Sequence, residues 1–502
     1  MNVAHLLTVA AKDRPHHTAL SFEDRAFTYE ELDRLTDRAA SALTGLGAGR
    51  GEVVAIFLDS GLELLVGYLG ALRAGAVPNV VNAALQPEEV RHVVADSGAR
   101  VLITDPDRWA ALGPVRNGLG VRHVLLTGGE PAAGADSFDV VLAAASDRFA
   151  TLDLDPGALA SLLYTSGTTG HPKGVMLTHR NILDNARQFA RVHYAADDRL
   201  LIAAPLFHCW GLINGVLGIS AVGGTAIIIR RFQTEPVLDL IESAHPTILM
   251  AVPTMVNYLA KSPTIARRDL SSLRVVLSAA APMPLELIKV LRRDWDVGYA
   301  ESYGLTETSP VITTTTARET RPGSCGRAMG DTRLKVADPL GNPLPVGSVG
   351  ELWAQGTAIS AGYYRRPDET ARVFTPDGWF RTGDLVRVDE EGYVYIVDRV
   401  KDMINVGGEK VYPRDVEEVL HRHPAVVDAV VVGVPDPDFG ELVKAYIVLK
   451  PGFAWSADEV IAYLKPILAS FKLPRLVEFV AAIPRSASGK ALRRLLRSQG
   501  GA

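Results

Sequence analysis

The sequence predicts an α/β protein, with a large N-terminal domain of helix-covered sheets over residues 1–400 and a small α+β C-terminal domain over 401–502. Three observations predict it. Short apolar strand candidates alternate with helical stripes through the first part of the chain, the pattern of parallel sheet covered by helices. After about residue 330 the texture changes to shorter strands and tighter turns. From Arg399 onward a compact strand–helix pattern fills a domain of about 100 residues. At 502 residues the chain also exceeds what one hydrophobic core organises.

Taken in order, the opening MNVAHLLTVAAKDRPHH reads as an amphipathic helix, without the basic start, apolar core and cleavage site of a secretory signal. Thr28 and Glu31 have capping-box spacing, with Phe27 and Leu32 placed as a hydrophobic staple. Leu32, Leu35, Ala39 and Leu43 then form a helical stripe. Residues 53–58 are a strand candidate and 62–73 a helix. Residues 76–81 are a weaker strand, because Pro78 cannot donate to a ladder and suits only a strand start or edge. Strand candidates continue at 101–104, 121–126, 226–229 and 275–277. The glycine-rich run from Gly45 to Gly51 follows a helix and precedes a strand. A dinucleotide fingerprint needs the reverse order, so this is a helix terminator and loop. In the C-terminal part, 411–420 turns into a helix, 426–432 and 445–449 are strands, 457–468 is a helix and 476–480 a strand. No long repeat or low-complexity tract interrupts the chain.

Composition narrows the function. Hydrophobic residues at 47% and charged residues at 22% are those of an ordinary soluble globular protein. A net charge of −5 argues against a nucleic-acid binder held by phosphate contacts. The most apolar stretch, 53–81, is broken by Asp59, Glu63 and Arg73, and no run approaches the ~20 apolar residues of a membrane span. Only two cysteines, Cys209 and Cys325, make a disulfide framework improbable, and a reducing cytoplasm fits best.

The most informative segment is LYTSGTTGHPKG at 163–174, directly after the strand candidate 158–163. Its glycines let backbone amides turn toward an anion, while hydroxyls and the Lys173 ammonium add donors and charge. A phosphate-holding loop follows from this, although any single cluster of small polar residues is also compatible with an exposed turn. Its glycine spacing is not that of the nucleotide-triphosphatase P-loop.

Nearly the whole chain resembles the superfamily of acyl-CoA synthetases, peptide-synthetase adenylation domains and beetle luciferases. The resemblance rests on six runs in family order: YTSGTTGHPKG at 164–174, ESYGLTET at 301–308, YYRRP at 363–367, GWFRTGD at 378–384, DRVKD at 398–402 and PRSASGK at 484–490. It implies an enzyme that uses ATP and Mg²⁺ to join a carboxylic acid to AMP, then transfers the acyl group to coenzyme A or to a carrier-protein phosphopantetheine. It also implies that the C-terminal domain is mobile, with Lys401 at the hinge.

By that resemblance Thr165, Ser166, Gly167, Thr168, Thr169, Gly170 and Lys173 form the phosphate loop. Ala280, Glu301, Ser302, Tyr303 and Gly304 belong with the nucleotide, and Tyr303 offers a flat face for adenine, where residue type alone fits core packing as well. Glu307, with Thr168, is the magnesium ligand, since Mg²⁺ takes one or two carboxylates together with phosphate oxygens. A surface glutamate after a turn would look the same. Thr306 donates a hydroxyl to the α-phosphate. Asp384 and Arg399 are the ribose ligands, where turn capping and a surface salt bridge are the plainer readings. Lys490 alone reads as part of a solvated basic tail; the resemblance makes it the cation that bridges carboxylate and α-phosphate, apt where negative charge accumulates. Gly407 and Gly408 fall in the loop lining the pantetheine tunnel, against a reading as bulge glycines.

The acid pocket is expected at His208, Trp210, Gly211, Val252, Ala279 and Gly304. His208 contacts the carboxylate or gates the site, unless it is a satisfied core histidine. Amino-acid-activating relatives carry an aspartate near this aromatic segment, and none occurs between Pro205 and Gly218. An acid without an α-amine is therefore expected, fatty or aryl, which places the protein in fatty acid metabolism or beside it. Ala279 stands where the family usually has glycine, and Trp210 is bulky; both lean toward short or medium chains. No insertion is evident between Gly350 and Asp384, which favours coenzyme A over a carrier protein. A kinase would share the phosphate loop but yield ADP, a luciferase-like oxygenase would consume oxygen, and a non-catalytic binder would have lost a charged site residue.

Overall fold

The computed structural model describes residues 1–128, 134–165, 172–485 and 491–498. They form two compact units, Met1–Arg333 with Ala354–Phe380, and Leu334–Trp353 with Arg381–Ala502.

The larger unit contains two sheets. One runs, in strand order, Asp136–Ser137, His123–Leu126, Val101–Thr104, Val53–Phe57, Val77–Val80, Leu159–Thr165 and Lys173–Thr178. Its strands pair in parallel except for the last hairpin, which is antiparallel. The other runs Arg327–Ala328, Val311–Thr314, Gly298–Gly304, Val275–Ser278, Ile248–Met250, Arg199–Ile202, Thr225–Ile228, Thr18–Phe22 and Arg25–Thr28. The central strands are buried along their whole length, as Val53–Phe57 and Val275–Ser278 show, which is why they read as continuous apolar runs.

The expected capping box closes the start of the helix Tyr29–Gly45: Thr28 accepts from the Glu31 N–H, and Glu31 accepts from the Thr28 N–H at 2.8 Å. This helix lies against Leu62–Arg73 so closely that a side chain at Gly70 would collide with Ala39. The buried Arg73 ties the two together through Asp33 and Asp37.

One element departs from expectation. Val77–Val80 is an interior strand, flanked on both sides, despite Pro78. Backbone amides alternate in direction along a strand. Val77 and Val81 donate to Glu52 and Ile56 on one side, while Pro78 faces the other, where pairing with Leu159–Thr165 is limited to Asn79 opposite Leu162. There the Ser161 hydroxyl donates to the Pro78 carbonyl at 3.0 Å. No donor is needed at that position, so the proline is tolerated.

Most of a sheet of Arg333–Ala337, Val349–Gln355, Phe380–Val388 and Val394–Arg399 belongs to the smaller unit. A second sheet pairs Val426–Asp436 with Gly440–Leu449 and adds Ile404–Val406, Glu409–Val411 and Leu476–Phe479. The helices Pro413–His421 and Ala457–Leu464 cover its core of Val416, Val419, Leu420, Val431, Ile447, Val460 and Leu464. Among the described residues no helix is long and apolar enough to cross a membrane.

Candidate active site

In the larger unit, the hairpin of Leu159–Thr165 and Lys173–Thr178 places Thr165 opposite Lys173, at the two ends of the segment read in the sequence as a candidate phosphate loop. Ser166, Gly167, Thr168, Thr169 and Gly170 lie outside the described residues, as does Lys490. Lys173 is mostly buried, paired with Glu369, and its ammonium sits 5.1 Å from the centre of the Tyr363 ring.

The strand Gly298–Gly304 carries the next group of candidates. Glu301 is buried and accepts from the Tyr299 hydroxyl, and its own N–H donates to Thr315 at 2.8 Å. The Ser302 and Thr314 hydroxyls are 2.9 Å apart, and His193 Nε2 lies 2.9 Å from the same Thr314 oxygen. Burial, aided by the positive charge of Arg274, pushes His193 down to about 3, so its imidazole is neutral. Tyr303 is buried, in keeping with either a packed ring or an adenine platform. Gly304 is required sterically: a Cβ there would lie 1.7 Å from the Pro310 carbonyl oxygen.

The chain then makes the short 3₁₀ turn Thr306–Thr308. Glu307 is not a surface glutamate. It is 8% exposed, the Tyr363 hydroxyl donates to its Oε1 at 2.8 Å, and its carbonyl accepts from Ser360 N at 2.8 Å. Among the described residues no group of three or more His, Cys, Asp or Glu side chains could hold a metal ion. A single buried carboxylate suits Mg²⁺, which retains water and binds substrate phosphates, and does not suit a cage metal.

The acid-pocket candidates sit on a different kind of scaffold. Trp210–Leu217 is a π-helix, a rare form often found where function demands it. Gly211 allows it to press on the preceding chain, since a Cβ would come within 2.9 Å of the Ala204 and Pro205 carbonyl oxygens. Trp210 and Ala279 are buried in the main apolar cluster, and Val252 packs on it. The His208 ring lies 4.7 Å from that of Phe207. Ala280 adopts φ +72°, a left-handed conformation that costs a residue with a Cβ roughly 1 kcal/mol. Cys209 Sγ reaches Thr306 Oγ1 at 3.7 Å, joining the segment of acid-pocket candidates to the turn that carries Glu307.

In the smaller unit, Asp384 and Arg399 are cross-strand partners, with Arg399 Nε 3.1 Å from Asp384 Oδ1. Asp384 is 4% exposed. The carbonyl of Lys401 accepts from Arg497 at 3.3 Å. Gly407 and Gly408 are not bulge glycines. They are the two central residues of a hairpin joining Ile404–Val406 to Glu409–Val411, with φ of +59° and +96°. Two consecutive positive φ values are what a type I′ turn requires.

Sequence reasoning missed two participants. Tyr363 was legible only as part of a motif, and Glu369, which holds Lys173, carried no local signal at all.

Residues 7–364 match the family model of AMP-binding enzymes, and 415–490 match that of the AMP-binding enzyme C-terminal domain. A feruloyl-CoA synthase of Amycolatopsis sp is 37% identical over 98% of this chain and 97% of its own length. The fatty acid–[acyl-carrier-protein] ligase ScoC of Streptomyces coeruleorubidus is 36% identical over 97% and 94%. Among solved structures, ATP-bound MatB from Rhodopseudomonas palustris superposes with a TM-score of 0.91 at 33% identity, covering 99% of each chain.

Proposed function

The chain belongs to the family of AMP-binding enzymes, and from that premise we propose that it activates an apolar carboxylic acid lacking an α-amine and transfers it to coenzyme A. At the coarser level it is an enzyme of the AMP-forming CoA ligase family, like its full-length relatives. The observation that carries the finer reading is the Cys209–Thr306 contact. It sets a buried apolar wall, without an aspartate, directly against the turn bearing Thr306 and Glu307.

In the first step an oxygen of the acid's carboxylate attacks the α-phosphorus of ATP, and the bond to the β-phosphate oxygen breaks to release pyrophosphate. Mg²⁺ would neutralise charge on the phosphates. Glu307, with Thr168 of the phosphate loop, is the group we assign to hold it. Thr306 donates its hydroxyl toward the α-phosphate, Thr165 and Lys173 belong to the phosphate loop, and Lys490 supplies the cation between the two reactants. Ala280, Glu301, Ser302, Tyr303 and Gly304 contact the nucleotide, and the ribose falls to Asp384 and Arg399. In the second step a thiol sulfur attacks the acyl carbonyl and expels AMP, with Gly407 and Gly408 along the pantetheine path and Lys401 as the hinge. His208, Trp210, Gly211, Val252 and Ala279 shape the acid site. The named activities of the relatives, on ferulate and on fatty acids, support an aryl or fatty acid, and the bulk of Trp210 with Ala279 favours a short or medium chain. A cytoplasmic setting is supported by the scarcity of cysteine, two in 502 residues.

A carrier-protein acceptor is the second reading, favoured by the relative that loads an acyl carrier protein. One experiment decides both questions. The purified protein is incubated with Mg·ATP and a panel of fatty, aryl and amino acids, pyrophosphate is followed, and products are identified by mass with and without coenzyme A. Acid-dependent pyrophosphate and an acyl-CoA are expected. An acyl-AMP that ignores coenzyme A transfers the assignment to a carrier protein, and silence with every acid removes the ligase reading.

A further inference from the structure

We propose that Tyr363 is a positioning residue for Glu307, fixing the orientation in which that carboxylate meets the metal on the nucleotide. The proposal rests on the assignment of Glu307 to magnesium made above.

The phenol donates to Glu307 Oε1 at 2.8 Å across 56 residues of sequence, and its placement is over-determined. The segment 361–364 lies along the edge strand Lys173–Thr178. Ala361 N donates to Met176, Met176 N to Gly362, Tyr364 N to Gly174, and Tyr363 forms a bridge with Val175. The backbone N–H of Tyr363 donates to Thr370 Oγ1 at 2.9 Å. Gly362, at φ +111°, has no room for a side chain because Thr370 would lie 2.5 Å from its Cβ. The Tyr363 ring is wedged edge-on against Phe374 at 5.9 Å, and the Lys173 ammonium lies over it at 5.1 Å. The strip fixes the Tyr363 backbone, and the packing of its ring directs the phenol at Glu307.

A carboxylate on a long side chain has a soft terminal torsion, so a single fixed hydrogen bond decides which way its oxygens face. A phenol keeps its proton at neutral pH and a carboxylate only accepts, so Tyr363 is the donor in this pair. The arrangement is the one by which an outer hydrogen-bond partner orients a metal's carboxylate, and loss of such a partner costs about 10–100-fold in metal affinity.

The test compares the full-length protein with Tyr363→Phe, Glu307→Gln and the double variant. ATP binding is measured by calorimetry at several free Mg²⁺ concentrations and again with the metal chelated. Tyr363→Phe keeps the ring and its packing. It is expected to weaken Mg²⁺-dependent binding about tenfold, leave metal-free ATP binding unchanged, and add nothing to that loss in the Glu307→Gln background. Equal losses with and without Mg²⁺ would mean that the ring merely packs, and would overturn the proposal. So would an unaltered Tyr363→Phe when Glu307→Gln has lost its Mg²⁺ dependence. If Glu307→Gln itself keeps full Mg²⁺ dependence, the metal assignment falls first and the proposal with it.

Discussion

The turn that bears Glu307 and the wall that bears Trp210 touch through Cys209 and Thr306 and share Asn185, which accepts from Asn214 and donates to Thr308 and Val311, yet most of each is built by opposite means. The turn is polar and pinned from many directions. Thr308 Oγ1 accepts from Leu305 N at 2.9 Å and donates to Pro310 O, Asn185 Nδ2 donates to Val311 O at 2.6 Å, and Tyr363 holds Glu307. The wall is apolar and shaped by volume. Gly211 seats the π-helix against backbone, Trp210 fills the cluster, and its indole N–H has no hydrogen-bond partner among the described residues. A pinned polar turn holds one geometry, which chemistry on a phosphate needs. An apolar wall is altered by changing a side chain, which suits the proposed role of selecting an acid.

The sharpest way to break this division is at its polar end. Glu307→Gln retains volume and hydrogen-bonding capacity but loses the charge. It is expected to lower the rate of acid-dependent pyrophosphate release about 10²–10³-fold while leaving the ranking of acids unchanged. A changed ranking would show that the turn also selects the acid. Next in size is Gly304→Ala, whose methyl would meet the Pro310 carbonyl. We expect a loss of at least about 3 kcal/mol in denaturant unfolding, because neither backbone can yield without moving the turn. An unaltered midpoint would show that the turn is more plastic than its hydrogen bonds imply.

Much of the fold was legible because its signals are local. The capping box at Thr28 and Glu31, the helix Leu62–Arg73 and the buried strands were readable from spacing and apolar runs. Pro78 misled because strand position depends on which side of the ladder needs a donor, and that is set by a neighbour more than 80 residues away. Gly407 and Gly408 were visible as glycines, while the turn that requires them became evident only once both flanking strands were in register. The candidate site divides in the same way. Its motifs could be recognised as runs, but the pairings Tyr363 to Glu307 and Lys173 to Glu369 span 56 and 196 positions, which no periodicity encodes.

A smaller effect sharpens the comparison from behind the polar side. His193 supports Thr314, which in turn touches Ser302. Its folded pKa of about 3 lies below the ordinary 6.5, so the unfolded chain takes up a proton below pH 6.5 and the folded chain does not. Its contribution is complete above pH 6.5 and declines as pH falls toward 3, by about 2 kcal/mol on reaching pH 5. His193→Gln keeps a hydrogen-bonding side chain beside Thr314 and does not titrate. Its unfolding free energy should therefore fall less steeply than the wild type's between pH 6.5 and 5, and parallel curves would show that His193 gains a proton in the folded state.

The smallest expected effect tests the apolar side. A buried indole N–H without a partner costs about 1–3 kcal/mol in desolvation, so a ligand oxygen that reached it would recover part of that. Trp210→Phe keeps an aromatic wall and removes the donor. If the acid touches this edge, an acid with a hydroxyl or methoxy oxygen on its ring should outperform its unsubstituted counterpart in the wild type. The ratio of their kcat/KM values should then fall about fivefold in the variant, with the unsubstituted acid nearly unaffected. A ratio that stays constant while both acids change together would assign Trp210 to volume alone. The wall would then choose its acid by size, with no hydrogen bond contributed by its largest side chain.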